Sequence, residues 1–168
     1  MEKEIKKCME HEDIVKFRAK YEAFRKKNDL PDFNFMNENF EIENMACEET
    51  ELFAKKIRKQ IMEKVSFGLR SLEMFKNPQN APLFIFSVIK AFNQADKENI
   101  DLLYNKFADL EIEAFGLETI YDEKKEIDFL KKVCKDWEDS CEDFNKIYES
   151  MKSGHKQGLK KQTKSYFG

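Results

Sequence analysis

The chain has 168 residues, with 30 Lys and Arg against 33 Asp and Glu, for a formal charge of −3. Only five Gly and three Pro are present, too few for the tight turns of sandwiches and barrels or for glycine-built phosphate loops. Hydrophobic residues make up 41%, including 16 Phe, which is enough for a core and argues against global disorder.

The length suits one domain. The first expected helix runs from Glu2 to Lys27. Ile14, Phe17, Tyr21 and Phe24 recur at steps of three and four, the mark of one helical face. Ile5, Cys8 and Met9 extend it backward, and Lys26 and Lys27 suit the negative end of its dipole. Asn28-Asp-Leu-Pro31 ends it. In residues 33–42, Phe33, Phe35, Phe40 and Ile42 alternate with polar residues, so a short extended aromatic segment is expected, packed on the outside of the helices.

A second helix is expected from Ala46 to Lys76, with Glu48, Glu49 and Glu51 near its positive dipole end. Its stripe is Phe53, Ile57, Ile61, Val65, Leu69 and Leu72. After Asn77-Pro78, a third helix from Ala81 to Phe92 is apolar on most of its circumference and should be the most buried element. Asp96 is a candidate N-cap for a fourth helix carrying Ile100, Leu103, Phe107, Leu110, Ala114 and Leu117. A fifth runs from Asp122 to Lys152, where Ile127, Leu130, Cys134, Trp137, Cys141, Phe144, Tyr148 and Met151 fit heptad a and d positions. The spacing leaves open whether the fourth and fifth fuse across residues 116–122. Ser153-Gly154 should stop the last helix.

The expected fold is therefore all-α: a bundle of four to five long, mostly antiparallel amphipathic helices over residues 1–153. Residues 154–168 form a basic, mobile tail carrying +4, which leaves −7 on the bundle. No apolar run reaches the roughly 18–20 residues of a membrane span, so no membrane partner is expected. The charged start Met1–Lys7 has no apolar signal segment, and a cytoplasmic location follows. Cys8, Cys47, Cys134 and Cys141 form no Cys-x-x-Cys pair, and buried thiols in a reducing compartment account for them.

Little points to chemistry. The two histidines, His11 and His155, cannot supply two Glu-x-x-His motifs, so the di-iron ligand set of helical bundles is missing. Cys8 and His11 lack a second ligand pair for zinc. Cys47 has acidic neighbours and no nearby base. No Walker loop, dinucleotide fingerprint or nucleophile elbow occurs. No catalytic, cofactor or metal site is therefore expected, and the chain reads as a non-enzyme.

Charge is more informative. Wound at 100° per residue, Lys55, Lys56, Lys59 and Arg70 fall opposite the Phe53/Ile57/Ile61 stripe and form an outward basic face. With Lys156, Lys160, Lys161 and Lys164 of the tail they are candidate DNA- or RNA-binding residues. The competing expectation is that basic and acidic helices simply pair across the surface. The heptads could equally serve a core or a protein interface, self-association included, with Trp137 and Tyr148 as candidate anchors. The leading functional expectation is a helical interaction or scaffold protein acting through its surface or heptad seam; the alternative is nucleic-acid association.

Overall fold

The computed structural model describes residues 11–47 and 51–165. The expected backward extension through Ile5, Cys8 and Met9, the acids Glu48 and Glu49, and the terminal Tyr166 and Phe167 lie outside the described residues. All regular structure among the described residues is helical: α1 His11–Asn28, α2 Phe33–Phe40, a 3-10 turn Ile42–Met45, α3 Phe53–Lys76, a 3-10 turn Pro78–Asn80, α4 Leu83–Ile89, α5 Gln94–Thr119 and α6 Glu123–Ser165. The chain divides into two compact units. Unit 1 draws on residues up to 64 and on 113–135, and unit 2 on 65–112 and on 136 onward. The three long helices α3, α5 and α6 contribute to both.

In unit 1, α1 buries Phe17 and Tyr21, and the Tyr21 hydroxyl donates to the Pro31 carbonyl at 2.9 Å. The aromatic segment is a correction to the sequence reading. It is not extended and does not lie outside. Asp32 caps α2 by accepting from the Phe35 N–H at 2.8 Å, and Glu41 closes it in the left-handed region at φ 54°. Phe33, Met36 and Phe40, spaced as one helical face, are buried, and Ile42 and Met45 continue that burial. Edge-to-face rings tie the segment in: Phe17 meets Phe33 at 6.3 Å and Phe53 at 5.8 Å. The start of α3 is also later than Ala46. The Leu52 carbonyl accepts the Lys56 N–H at 3.1 Å, so the helix begins at Phe53, where burial begins.

In unit 2, Leu72, Val88, Phe92, Ile100, Leu103 and Ile147 form one cluster. Phe107 is fully buried, stacked on Trp137 at 5.9 Å and tilted against Phe144 at 5.3 Å. The expectation that the third helix is the most buried element is overturned. Only Ile85 and Val88 of α4 are buried, while Leu83, Phe84 and Phe86 are exposed. Seven residues make two turns, and two turns offer the core only one side. The N-cap of α5 is Asn93 rather than Asp96. The Asn93 N–H donates to Asp96 Oδ2 at 2.9 Å and the Asp96 N–H to Asn93 Oδ1 at 3.0 Å, a reciprocal capping box.

Helices α5 and α6 do not fuse. Asp122 caps α6 by accepting from the Lys124 and Lys125 N–H groups. Two further corrections concern α6. First, it does not stop at Ser153-Gly154 but continues to Ser165, so residues 154–165 are helical. Gly154 is buried, and a Cβ there would stand 2.6 Å from the Ala91 Cβ and 3.3 Å from the Val88 carbonyl oxygen. The glycine serves close approach, not termination. Second, the buried stripe of α6 is rotated from the expected one. Leu130, Trp137, Phe144 and Met151 are shared, but the alternate positions are Glu126, Val133, Ser140, Ile147 and Gly154 in place of Ile127, Cys134, Cys141 and Tyr148; of the replaced set only Cys134 is also buried. Cys47 and Cys141 are exposed, contrary to the expectation of buried thiols, and Cys8 lies outside the described residues.

The glycine contacts separate two substitutions. Gly154→Ala should cost about 1–3 kcal/mol through overpacking, and adding Ala91→Gly should restore part of it. A Cβ at Gly116 meets nothing within 4 Å, so Gly116→Ala should stabilise by about 0.5–1 kcal/mol. Urea denaturation of the variants reads both.

Candidate functional site

The densest charged constellation sits in unit 1 and centres on a residue the basic-face reading passed over. Arg58 is buried on α3, between the stripe residues Ile57 and Ile61. Its Nε donates to Glu126 Oε2 at 2.7 Å and its Nη2 to Glu118 Oε2 at 2.8 Å. Nη2 also reaches Glu126 Oε1 at 3.3 Å, and Nη1 the Ala114 carbonyl at 3.4 Å. Glu126 is 0% exposed. Lys55 and Lys59 close on Glu118 Oε1 at 3.1 and 3.2 Å. Three cations thus meet two carboxylates, joining α3, α5 and α6.

The electrostatics follow from this packing. Hydrogen bonds from Arg58 and Lys55 hold the Glu118 carboxyl down at about 2. Burial alone would lower the Arg58 pKa, but the bonds and charges of Glu126 and Glu118 outweigh it and the net direction is up. No buried side-chain nitrogen or oxygen among the described residues lacks a hydrogen-bond partner. The buried part of the constellation, Arg58 with Glu126, is satisfied internally, while Lys59 and Glu118 form its solvent-facing edge.

The candidate nucleic-acid residues are distributed unevenly. Lys55 and Lys59 are committed to Glu118. Lys56 is half-buried, and Arg70 is exposed with its Nε on the Ser66 carbonyl of its own helix at 3.2 Å. Elsewhere on α3, Lys64 pairs with Glu41 and Lys76 with Asp101, each at 2.5 Å. Two of the four residues of the basic face, Lys55 and Lys59, are thus matched by one acid, Glu118. Lys156 is exposed on α6, and Lys160, Lys161 and Lys164 fall in its last turns. Of the candidate anchors, Trp137 packs on Phe107 and Phe144. Tyr148 stands exposed, with the Lys152 ammonium 5.7 Å from its ring centroid.

Sequence reasoning missed two sets of residues. Arg58 and Glu126 could have been found as charges at stripe positions, Arg58 beside Ile57 and Glu126 four residues before Leu130. The second set is apolar and outward. Phe115 and Ile120 at the end of α5 are 74% and 76% exposed, with Tyr121 beside them. On α4, Leu83 is 88% exposed, and Phe84 and Phe86 are exposed with it. Among the described residues no group of three or more His, Cys, Asp or Glu is placed to hold a metal ion, and no helix is long and apolar enough to cross a membrane. No family model, no curated protein and no solved structure matches the chain.

Two consequences follow for the charged cluster. Glu126→Ala leaves the Arg58 guanidinium buried without its main partner and should cost about 3–5 kcal/mol. Replacing both, as Arg58→Met with Glu126→Leu, should recover most of it, read by chemical denaturation. Because the folded Glu118 pKa lies below its ordinary 4.5, its stabilisation is complete above that value and fades as pH falls toward about 2. Glu118→Gln should therefore lower the urea midpoint at neutral pH and flatten its decline over that acid window.

Proposed function

We propose that the chain is a non-enzymatic helical interaction protein, its long helices running mostly antiparallel as a scaffold for exposed apolar side chains, in a cytoplasmic setting. The observation that carries the reading is the corner after α5. Phe115, Ile120 and Tyr121 are exposed within seven residues of chain, and Gly116 beside them leaves open space. Single exposed apolar residues are ordinary, but large ones grouped together are the raw material of protein interfaces. The exposed Tyr148 is a further contact candidate, whereas Trp137 is engaged with Phe107 and Phe144.

Association with DNA or RNA is the second reading. The exposed Lys156 and the acid-free sequence that follows Glu149 support it. The pairing of Lys55 and Lys59 with Glu118 takes away support on α3.

The interaction reading predicts that the full chain, isolated gently from its cell, carries an associated protein, either a second copy or another chain. A Phe115→Ser/Ile120→Ser variant should lose that protein while keeping its helical circular dichroism. Identical associated material from both chains would overturn the reading.

A further inference from the structure

Two stretches of this acid-rich chain contain no acid at all. Residues 74–95 carry Lys76 and Lys90, and residues 150–168 carry Lys152, Lys156, Lys160, Lys161 and Lys164. The fold brings them together in unit 2, where Gly154 of α6 packs on Val88 and Ala91 at the C-terminal end of α4. Lys76 pairs with Asp101 at 2.5 Å and Lys152 with Glu149 at 3.4 Å, while Lys90 and Lys156 are exposed.

The same place carries the most protruding apolar residue of the described chain. Leu83, Phe86 and Lys90 follow one another at steps of three and four, so they line one outward stripe that begins apolar and ends cationic. Phe84 and the exposed Pro82 flank it. At 88% exposure Leu83 is no pocket floor; it projects into its surroundings. An outward apolar face that ends at the exposed Lys90, with the exposed Lys156 on the helix packed against α4, is the chemistry of an interface where hydrocarbon lies just beneath anionic groups. A nucleic acid would use the lysines but leave Leu83 without an apolar contact, and a protein pocket would use Leu83 without needing the lysines.

We propose that unit 2 docks on an anionic lipid surface, with Leu83, Phe84 and Phe86 entering the headgroup boundary and Lys90 and Lys156 held by the headgroups. This changes the expectation of no membrane partner, which was drawn from the lack of a span; a surface-bound mode needs no span. The site is separate from the corner after α5, so this inference and the interaction reading can fail independently.

The test is co-sedimentation of the full chain with vesicles of phosphatidylcholine alone and of equal parts phosphatidylcholine and phosphatidylserine. Binding to the mixed vesicles should exceed binding to the neutral ones by about tenfold or more and weaken with salt. Leu83→Ser/Phe84→Ser, both at exposed positions, should reduce it by about tenfold, whereas Phe115→Ser/Ile120→Ser should leave it unchanged. Tryptophan emission of a Phe84→Trp chain should shift to the blue on adding mixed vesicles, and that of the parent chain should not. No sedimentation with mixed vesicles overturns the proposal. So does binding that Leu83→Ser/Phe84→Ser leaves intact, which would be adsorption by charge alone. Salt-sensitive binding of labelled oligonucleotides without vesicle binding would also overturn it and assign the lysines to nucleic acid.

Discussion

Packing in unit 1 turns on the buried Arg58–Glu126 pair. A carboxylate with no exposure is tolerable only beside a compensating cation, and the guanidinium is equally dependent on it. Once Glu126 faces inward, the rotation of α6 about its own axis is decided. A helix turns 100° per residue, so Leu130, Val133, Trp137, Ser140, Phe144, Ile147, Met151 and Gly154 follow Glu126 at alternating steps of four and three, all buried or half-buried. Turning α6 to favour Ile127 and Tyr148 would carry Glu126 away and strand Arg58. The pair thus decides which face α6 turns toward α3 and α5 within unit 1.

This explains why the sequence exposed the existence of α6 but not its rotation. Both stripes are regular heptads, and they share four positions. By hydrophobicity Ile127, Cys134, Cys141 and Tyr148 outrank Glu126, Val133, Ser140, Ile147 and Gly154. What decides between them is long-range: the Arg58 partner, the Ser140 hydroxyl between the Asp136 carbonyl and the Lys106 ammonium, and the space Ala91 leaves for a residue without a side chain. None of these is visible in local periodicity. The same limit applied to the charged site. Lys55 and Lys59 were legible as an outward face, but Glu118, about sixty residues away, was not legible as their partner.

Two other elements were misread for opposite reasons. In α2 the alternation of Phe33, Phe35 and Phe40 with polar residues suggested an extended strand, yet Phe33, Met36 and Phe40 fit a helical face just as well, and the Asp32 cap tips the balance. In α4 an apolar circumference suggested deep burial. Hydrophobicity measures the tendency to leave water, not the presence of a neighbour to receive it. An element of seven residues, begun at Pro82 and followed by the turn at Lys90, presents one side to the core and leaves the other outward.

That outward side has a charge context that the net value hides. The acid-free stretches carry seven lysines, so the rest of the chain stands at −10 against a total of −3. In the remainder, cations and acids are largely interleaved: Lys64 with Glu41, Lys55 and Lys59 with Glu118, Lys146 with Glu142 and Asp143. Such pairs neutralise a surface locally and leave little field at a distance. In the acid-free stretches Lys76 and Lys152 are matched by Asp101 and Glu149 from outside them, while Lys90 and Lys156 stand exposed near α4, whose Leu83 is the most exposed large apolar residue among those described. Burying Leu83, Phe84 and Phe86 within this fold would have needed an element that unit 2 does not provide among the described residues. On the docking proposal that apolar surface is covered by the lipid boundary, and the exposed Lys90 and Lys156 set the sign of the headgroups it favours.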